Sequence, residues 1–185
     1  MVHAHTDTSS KERIMNIFHR SDSTIRILIA TIAVGMGIGI PDVSIVVIQG
    51  FAPTLLQLWQ EVGLCGQDGR LCLTLCYAFP RSIAIPCGNC RKQAKRTTCS
   101  CPSRAHLRSL ATTTECQRIY CLKYFSLSSK TDTEIDKMKN FKSCSKDCVD
   151  TCQCQMCICC INCMSKCECP NRNKSKNDLI HSYLH

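Results

Sequence analysis

The sequence lacks an apolar run long enough to span a membrane where its aliphatic residues are concentrated. The uncharged segment at residues 27–40 has 14 residues, includes three glycines and is followed by Pro41 and Asp42. A bilayer requires about 20 consecutive apolar residues. This segment is therefore not a membrane span, and we expect no membrane partner.

A secretory signal is also missing from the first residues, MVHAHTDTSSKER, which have no apolar core behind a basic start. Such a core is what defines a signal peptide. The absence argues against a small secreted domain held together by disulfides, which is the commonest explanation of a cysteine-rich chain. In a reducing compartment, clustered cysteines more often hold a metal ion.

Acidic residues are scarce in the second half of the chain. Residues 81–185 contain eighteen Lys or Arg against eight Asp or Glu, whereas residues 1–80 contain five against six. Sixteen of the 19 cysteines also lie in residues 81–185. This contrast predicts two structural units. A basic segment favours an acidic partner, most often nucleic acid, but a solvated surface or a disordered tail has the same composition.

Aliphatic and amphipathic segments alternate in residues 1–80. Ser9 and Glu12 form a capping-box pattern ahead of apolar residues at helical spacing, which predicts a helix over residues 10–19. The other predicted elements are a helix at residues 54–62 and buried strands at residues 26–31, 43–48 and 71–77. This alternation is typical of an α/β fold with a parallel sheet.

Several side chains of this region are expected to be core residues. Leu55, Leu58 and Trp59 are predicted to face inward on the second helix. Trp59 as a platform for stacking a base is the alternative. Three cysteines are expected to be buried small hydrophobes rather than ligands or nucleophiles: Cys65, Cys72 and Cys76.

A glycine-rich loop at residues 33–42 follows the first predicted strand. Gly35, Gly37 and Gly39 occupy alternate positions. Alternating glycines permit positive φ and close approach of the backbone to phosphate. A flexible connection without a ligand would give the same pattern.

Two stretches in order, TIAVGMGIGIPDVSIVV at residues 31–47 and LQLWQEVGLCGQDGR at residues 56–70, resemble motifs V and VI of the RecQ family of superfamily 2 helicases. Upstream, His3 and Ala4 and the helix at residues 11–18 are similar to the segment that precedes these motifs in the family. The resemblance covers residues 1–80. It implies the second RecA-like lobe of a nuclear motor that moves 3′ to 5′ on DNA, using ATP and magnesium. The expected partner is single-stranded or partly duplex DNA, in DNA repair and recombination.

The resemblance assigns roles to individual residues. Gly35, Gly37 and Asp42 match the loop that couples the nucleotide cleft to DNA, and Gln60 joins them as a nucleotide-binding position. The matching positions of motif VI are Gln60, Glu61, Gly63, Gly66, Asp68 and Gly69.

Three positions depart from the family pattern. The family has arginine where this chain has Leu64, an arginine finger where it has Gln67, and phenylalanine where it has Val34. An arginine finger stabilises charge on the transferred phosphoryl group and contributes roughly 10³–10⁵ in rate. Neutral glutamine does not replace that charge.

A phosphate-binding loop of the form G-x-x-x-x-G-K-[ST] does not occur in the sequence, and no acidic box for magnesium precedes motif V. We therefore expect that this polypeptide does not hydrolyse ATP by itself. One interpretation is the C-terminal part of a helicase, as a truncated gene model or a segment of something larger. The alternative is a non-enzymatic zinc- and DNA-binding derivative of a helicase.

The second half is expected to contain the zinc-binding segment that follows the second lobe in RecQ-like proteins. Residues 116–125 look like the basic, aromatic-ended helix of that segment, and residues 144–152 look like its cysteine knot. The resemblance implies four zinc ligands, Cys116, Cys144, Cys148 and Cys152, with Cys154 as the replacement. Thiolates hold zinc tetrahedrally in structural sites.

Two further cysteine groups allow more than one interpretation. Cys87, Cys90, Cys99 and Cys101 have the spacing of a second zinc knuckle, or are loop thiols. The dense run at residues 152–169 would bind several metal ions as a metal store, or form a small apolar patch. We favour extra ligands without a separate function.

A basic loop surrounds the first of these groups, with no acid between Arg81 and Thr114. Its predicted DNA contacts are Arg91, Lys92, Lys95 and Arg96, which would bind phosphates without reading sequence. A solvated linker is the alternative. The predicted organisation is a helicase lobe at residues 1–80, a basic linker or knuckle at 81–115, a zinc-binding segment at 116–169 and a polar tail at 170–185.

Overall fold

The computed structural model describes residues 2–3, 5–20, 22–31, 40, 42–79, 82, 101–125, 129–143 and 154–170. The chain divides into two compact units, Met1–Ser82 and Ile83–His185. The first contains α1 (Thr8–Phe18), β1 (Ile45–Gln49), α2 (Leu55–Val62) and β2 (Leu73–Tyr77). The second contains α3 (Pro102–Thr112), α4 (Gln117–Phe125), α5 (Ser129–Lys139) and α6 (Ile161–Lys166). Within these ranges, none of the helices has the length and apolar character needed to cross a bilayer.

A β–α–β unit forms the centre of the first unit. Strands β1 and β2 pair in parallel, with Ile45 opposite Leu73 and Gln49 opposite Tyr77. Parallel strands require a crossover connection, and α2 provides it and packs on β1. The parallel pairing predicted from the alternation is therefore present in the described residues. Both strands begin two residues later than predicted.

Helix α2 buries one narrow face. Thr54 caps it by accepting the Gln57 N–H at 3.2 Å, and Leu55 and Leu58 are buried as predicted. Trp59 is 36% exposed, so its predicted place in the core is wrong. Successive residues of a helix are about 100° apart, and Trp59 therefore lies beyond the edge of the face that Leu58 presents to the core.

Helix α1 begins earlier than predicted because Asp7 caps it. The Asp7 carboxylate accepts the Ser9 hydroxyl at 2.7 Å and the Ser10 N–H at 2.8 Å, and these hydrogen bonds lower the pKa of Asp7. The capping box predicted at Ser9 and Glu12 is therefore wrong. A carboxylate is a stronger acceptor than a hydroxyl and carries a charge that the start of a helix favours.

The strand predicted at residues 26–31 is not formed in the described part of the chain. Instead, Val2 makes an isolated parallel bridge with Ala30, through Val2 N to Ile29 O at 2.8 Å and Thr31 N to Val2 O at 3.0 Å. Val2 is fully buried, whereas Ile27 is 76% exposed. A single bridging residue covers too little of this segment to bury its apolar side chains on both faces.

The two strands are also less buried than predicted. Ile48 is buried, but Val47 is exposed on the other side of β1. Cys65 is buried as predicted and Cys72 is half-buried, whereas Cys76 is exposed, which contradicts the prediction for that residue. In the described residues the sheet has two strands, so apolar side chains are covered only where α2 and its flanking loops pack.

The second unit consists of short helices joined by small apolar contacts. Helix α4 confirms the helix predicted at residues 116–125. It contacts α3 through the Tyr120 hydroxyl, which donates to the His106 carbonyl at 3.3 Å, and through the His106 and Tyr124 rings, 4.6 Å apart. Helix α5 contacts α4, and Ile135 is buried together with Ile119 and Cys116.

Helix α6 is six residues long and is tied to the chain before α4 by side chains. The Asn162 amide donates to the carbonyls of Thr113 at 2.8 Å and Glu115 at 2.7 Å. The Lys166 ammonium donates to the Thr114 carbonyl at 2.8 Å. These three hydrogen bonds hold α6 beside residues 113–115, directly before Cys116.

The loop after α2 contains two glycines with positive φ, Gly66 at 69° and Gly69 at 79°. A Cβ at Gly66 would lie 2.7 Å from the Cys72 sulfur and 3.2 Å from the Arg70 carbonyl oxygen. A Cβ at Gly69 would have nothing within 4 Å. Backbone conformation therefore favours glycine at both positions, but packing requires it only at Gly66.

We predict that Gly66→Ala destabilises the first unit more than Gly69→Ala does. Both substitutions incur roughly 1–2 kcal/mol for positive φ, and only Gly66→Ala adds the contact with Cys72, which costs about 1–3 kcal/mol more. Chemical denaturation of the two variants beside the wild type measures the difference. Equal losses of unfolding free energy would show that the Cys72 side chain moves aside at no cost and that close packing does not fix this loop.

Candidate functional site

Residues 63–70, here called the motif VI loop, are held against the strands by backbone hydrogen bonds. The Gly66 N–H donates to the Val43 carbonyl at 3.1 Å, and the Cys65 sulfur lies 3.2 Å from the Thr74 hydroxyl oxygen. Val43 immediately follows Asp42. The loop therefore adjoins the end of the glycine-rich segment. Gly35 and Gly37, predicted at the nucleotide cleft, lie outside the described residues.

Gln67, where the resemblance places an arginine finger, turns back toward its own helix. Its side-chain amide donates to the Gly63 carbonyl at 3.2 Å, just after the last residue of α2. Leu64, the other position at which arginine is expected, is half-buried. Neither side chain brings a positive charge to this loop.

Charge in the motif VI loop comes from one ion pair. The Arg70 guanidinium lies 2.6 Å from the Asp68 carboxylate, which also accepts the Arg70 backbone N–H at 3.0 Å. That backbone hydrogen bond is the main reason why the pKa of Asp68 is lowered. Arg70 is thus already bound to a carboxylate two residues away.

The other predicted residues of this site differ in burial. Partial burial raises the pKa of Glu61 on α2. Gln60 and Asp42 are exposed, so their side chains are open to solvent.

A cluster of four thiols is found in the second unit, at Cys116, Cys159, Cys160 and Cys163, here called the four-thiol cluster. All four sulfurs lie within 4.8 Å of one another. Cys116 directly precedes α4, Cys159 and Cys160 directly precede α6, and Cys163 lies on α6. The hydrogen bonds from Asn162 and Lys166 bring these two parts of the chain together.

The sulfur spacing in this cluster fits a metal ion rather than a disulfide. The sulfur of Cys116 lies 3.5 Å from that of Cys159 and 3.9 Å from that of Cys160, and Cys160 and Cys163 are 3.6 Å apart. A tetrahedral ion with metal–sulfur bonds of about 2.3 Å separates its sulfurs by about 3.8 Å. A disulfide requires about 2.05 Å. The four-thiol cluster can therefore hold a metal ion.

Crowding of the thiols changes their acidity unequally. Burial raises the pKa of Cys163 to about 12, and hydrogen bonding with neighbouring thiols adds to this effect. Hydrogen bonding with Cys116 lowers the pKa of Cys160 and raises that of Cys159. Because the pKa values of Cys159 and Cys163 are raised, a cation that binds all four sulfurs must displace protons.

The predicted ligand set and the observed cluster share one residue, Cys116. The remaining first-choice ligands, Cys144, Cys148 and Cys152, lie outside the described residues, and their assignment stays a prediction. Cys154, the named replacement, belongs to a different group of thiols. Cys159, Cys160 and Cys163 were assigned only to the dense run, although their C-C-x-x-C spacing was a usable signal.

The residues predicted to contact DNA, Arg91, Lys92, Lys95 and Arg96, lie outside the described residues. So do Cys87, Cys90 and Cys99 of the predicted second knuckle. Cys101 is described: it is half-buried and occupies the N-cap position of α3.

Comparison with known proteins identifies the first unit. Residues 1–69 match the family model of the helicase conserved C-terminal domain. Together with the parallel β–α–β unit, this match defines the class: a RecA-like lobe of a helicase.

Three relatives indicate which kind of helicase this region resembles. A protein of Acanthamoeba polyphaga mimivirus named as an ATP-dependent RNA helicase is 36% identical over 75 residues, 40% of this chain and 13% of the relative. The ATP-dependent DNA helicase Q-like 2 of Arabidopsis thaliana is 31% identical over 84 residues, which cover 45% of this chain and 11% of the relative. The ATP-dependent helicase wrn-1 of Caenorhabditis elegans is 28% identical over 129 residues, which cover 68% of this chain and 12% of the relative. These similarities support a RecQ-like superfamily 2 helicase C-terminal region in this part of the chain.

The chain is much shorter than the relatives that it matches. It spans about an eighth of the length of these three proteins. Similarity to the nematode helicase covers 68% of the chain, more than residues 1–80 contain, so it includes part of the cysteine-rich half.

We predict that Cys116→Ala removes one bound metal ion per chain, whereas Cys121→Ala removes none. Both residues are buried beside or within α4, but Cys121 is outside the four-thiol cluster, and burial raises its pKa to about 11. Native mass spectrometry of the purified proteins counts the ions. An unchanged count in Cys116→Ala would mean that this cluster is not a metal centre.

Proposed function

We propose that this chain is the second lobe and zinc-binding segment of an ATP-dependent DNA helicase that moves 3′ to 5′ and serves DNA repair or recombination in the nucleus. The observation that carries the proposal is the hydrogen bond between Gly66 and Val43. It brings the motif VI loop to Val43, the residue after Asp42, within the region that matches the helicase family model. In a two-lobe motor, this end of the lobe would face bound ATP and magnesium.

ATP hydrolysis, on this proposal, needs groups that this sequence does not provide. The sequence has no phosphate-binding loop, and Gln67 donates its amide to Gly63. Arg70, the nearest cation in sequence, is bound by Asp68. A cationic group at the position of Gln67 would have to come from outside this sequence.

Zinc is the metal that we propose for the four-thiol cluster. Four thiolates with tetrahedral spacing form the donor set of structural zinc sites. The ion would join the start of α4 to α6, which share few apolar contacts of their own. Metal binding and folding of this unit would then be one event.

DNA is the proposed partner because one similar protein is named as a DNA helicase and because the basic residues lie next to the zinc segment in sequence. Arg91, Lys92, Lys95 and Arg96 would bind phosphates of single-stranded or partly duplex DNA. The affinity would then fall with added salt.

A second candidate function is a non-enzymatic zinc- and DNA-binding protein derived from a helicase. Leu64 and Gln67 favour it, because both expected arginines are missing. The two proposals agree on metal and DNA and differ only in whether a complete motor containing this lobe turns over ATP.

We predict that the chain by itself has no DNA-stimulated ATPase. Phosphate release is measured with single-stranded DNA and magnesium, before and after chelation of the magnesium. Release above background that chelation abolishes would contradict the prediction.

Fusion to a complete RecQ-type first lobe separates the two candidate functions. If the lobe is decayed, Leu64→Arg with Gln67→Arg raises the DNA-stimulated rate by up to roughly 10³–10⁵. If the unmodified fusion already unwinds DNA at the rate of the restored one, the non-enzymatic proposal fails.

We also predict that Arg91→Ala with Lys92→Ala weakens DNA binding more than Lys137→Ala with Lys139→Ala. Each pair removes two positive charges, but Lys137 and Lys139 are bound to Glu134 and Asp136 at 2.8 Å. Loss of two phosphate contacts lowers the slope of log affinity against log salt by about 1.4 on single strands.

Fluorescence anisotropy with DNA and RNA oligonucleotides of one sequence measures both effects. Equal weakening by the two variant pairs would mean that net charge alone attracts the nucleic acid. Tighter binding of RNA would overturn the choice of DNA as the partner.

A further inference from the structure

A second group of thiols lies at the other end of α6, at Cys154, Cys157 and Cys167, here called the three-thiol cluster. Their sulfurs all lie within 4.8 Å of one another. The Cys154 and Cys167 sulfurs are 3.5 Å apart, close to the separation of about 3.8 Å in a tetrahedral thiolate site and far from the 2.05 Å of a disulfide. Cys157 and Cys167 are buried.

Hydrogen bonds around these sulfurs are those of metal-binding thiolates. The Cys157 N–H donates to the Cys154 sulfur at 3.4 Å, because the chain turns sharply between the two cysteines. The Ser143 hydroxyl oxygen lies 3.3 Å from the Cys167 sulfur and accepts the Glu168 N–H at 3.0 Å. Because the Ser143 oxygen accepts the Glu168 N–H, the Ser143 hydroxyl hydrogen is left to point to the Cys167 sulfur. Donors aimed at sulfur stabilise its anionic form.

The surroundings of the cluster limit access of water. Met164 and Cys169 are buried with Cys157 and Cys167 in one small core, and Met156 packs against it. A soft sulfur environment of this kind suits zinc or another thiophilic ion. Cys169 lies two residues after Cys167, is 2% exposed and belongs to the same small core. Its sulfur is not among those that lie within 4.8 Å of one another, so it would have to move closer to become the fourth ligand.

We propose that Cys154, Cys157 and Cys167 form a second zinc site, completed by Cys169, separate from the four-thiol cluster. The ligands of the two sites interleave along the chain. After Cys116 of the first site come Cys154 and Cys157 of the second, then Cys159, Cys160 and Cys163 of the first, then Cys167 of the second. Helix α6 therefore carries Cys163 of the first site, and Cys167 of the second site directly follows its last residue.

Interleaving couples the two sites. An ion in the second site closes residues 154–167 into a loop that contains three of the four ligands of the first site. It removes conformational freedom that the first ion would otherwise have to remove. Coupling is reciprocal, so each ion raises the affinity for the other by the same factor.

The experiment counts zinc ions on the full chain by native mass spectrometry and compares variants. We predict that Cys157→Ala with Cys167→Ala lowers the count by one relative to the wild type, that Cys116→Ala lowers it by one, and that the combination lowers it by two. Cys121→Ala is the control that changes none. Counting differences keeps the result independent of ions bound elsewhere.

Three outcomes would overturn the proposal. The first is an unchanged zinc count in Cys157→Ala with Cys167→Ala. The second is a wild-type mass lower by two hydrogens, which would indicate a disulfide between these residues. The third is a combined variant that loses fewer ions than the sum of the losses in Cys157→Ala with Cys167→Ala and in Cys116→Ala. The charge-state distribution in the same spectra reports folding. If the double variant unfolds, Cys154→Ser, at a half-buried position, replaces it with the same expected loss of one ion.

Coupling and ligand number are tested by titration of the metal-free wild type with Co²⁺. Sulfur-to-cobalt charge transfer grows with each thiolate bond, so the intensity from the second site is expected to fall in Cys169→Ala. We expect removal of the second site to weaken Co²⁺ binding at the first by on the order of tenfold. Unchanged affinity at the first site would reject the coupling, and an unchanged spectrum in Cys169→Ala would reject Cys169 as a ligand.

The zinc-site proposal does not depend on the helicase proposal. A motor that hydrolyses ATP and a non-enzymatic derivative would both bind the second ion. Failure of the metal counts at Cys154, Cys157 and Cys167 leaves the ATPase and DNA-binding results unaffected.

Discussion

In the second unit, the sulfur of Cys116 lies 3.5 Å from that of Cys159, although 43 residues separate them in sequence. Four sulfurs at this spacing cannot all be ionised without a cation, because like charges in a half-buried site repel. The helices that they join, α4 and α6, have nine and six residues, and isolated helices shorter than about 12–15 residues are marginal in water. The arrangement of these helices therefore depends on how the charge of the thiolates is compensated.

In the first unit, a backbone hydrogen bond helps to position the motif VI loop. Its parallel strands leave the motif VI loop to be positioned by the Gly66 amide, which reaches the Val43 carbonyl, and by the small space that Cys72 leaves at Gly66. The frame of the site is thus built from main-chain groups that tolerate changes in side chains. The loop can keep this geometry with neutral side chains at Leu64 and Gln67.

The sequence predicted the parts of the fold in which local pattern and long-range packing agree. The alternation of β1, α2 and β2 and the helix before Phe125 were predictable because their apolar spacing is regular. The strand at residues 26–31 was not, since apolar composition does not reveal whether a neighbouring strand is present. Asp7 was overlooked because the more familiar pattern of Ser9 and Glu12 lay beside it.

The candidate metal centre was predictable in kind and only partly in detail. The sequence indicates Cys116 as a ligand. The direction of α6 decides which of the many closely spaced thiols lie beside Cys116. That direction is set by Asn162 and Lys166, whose carbonyl partners about 50 residues earlier leave no mark in the local sequence.

The amide of Asn162 uses both of its hydrogens on the carbonyls of Thr113 and Glu115. An aspartate carboxylate has no hydrogen to give, so slow hydrolysis of this amide during storage would set a negative charge against two carbonyl oxygens. The chain before α4 would then separate from α6 with every sulfur chemically intact. Ageing of the protein would then disturb the four-thiol cluster through a single deamidated side chain.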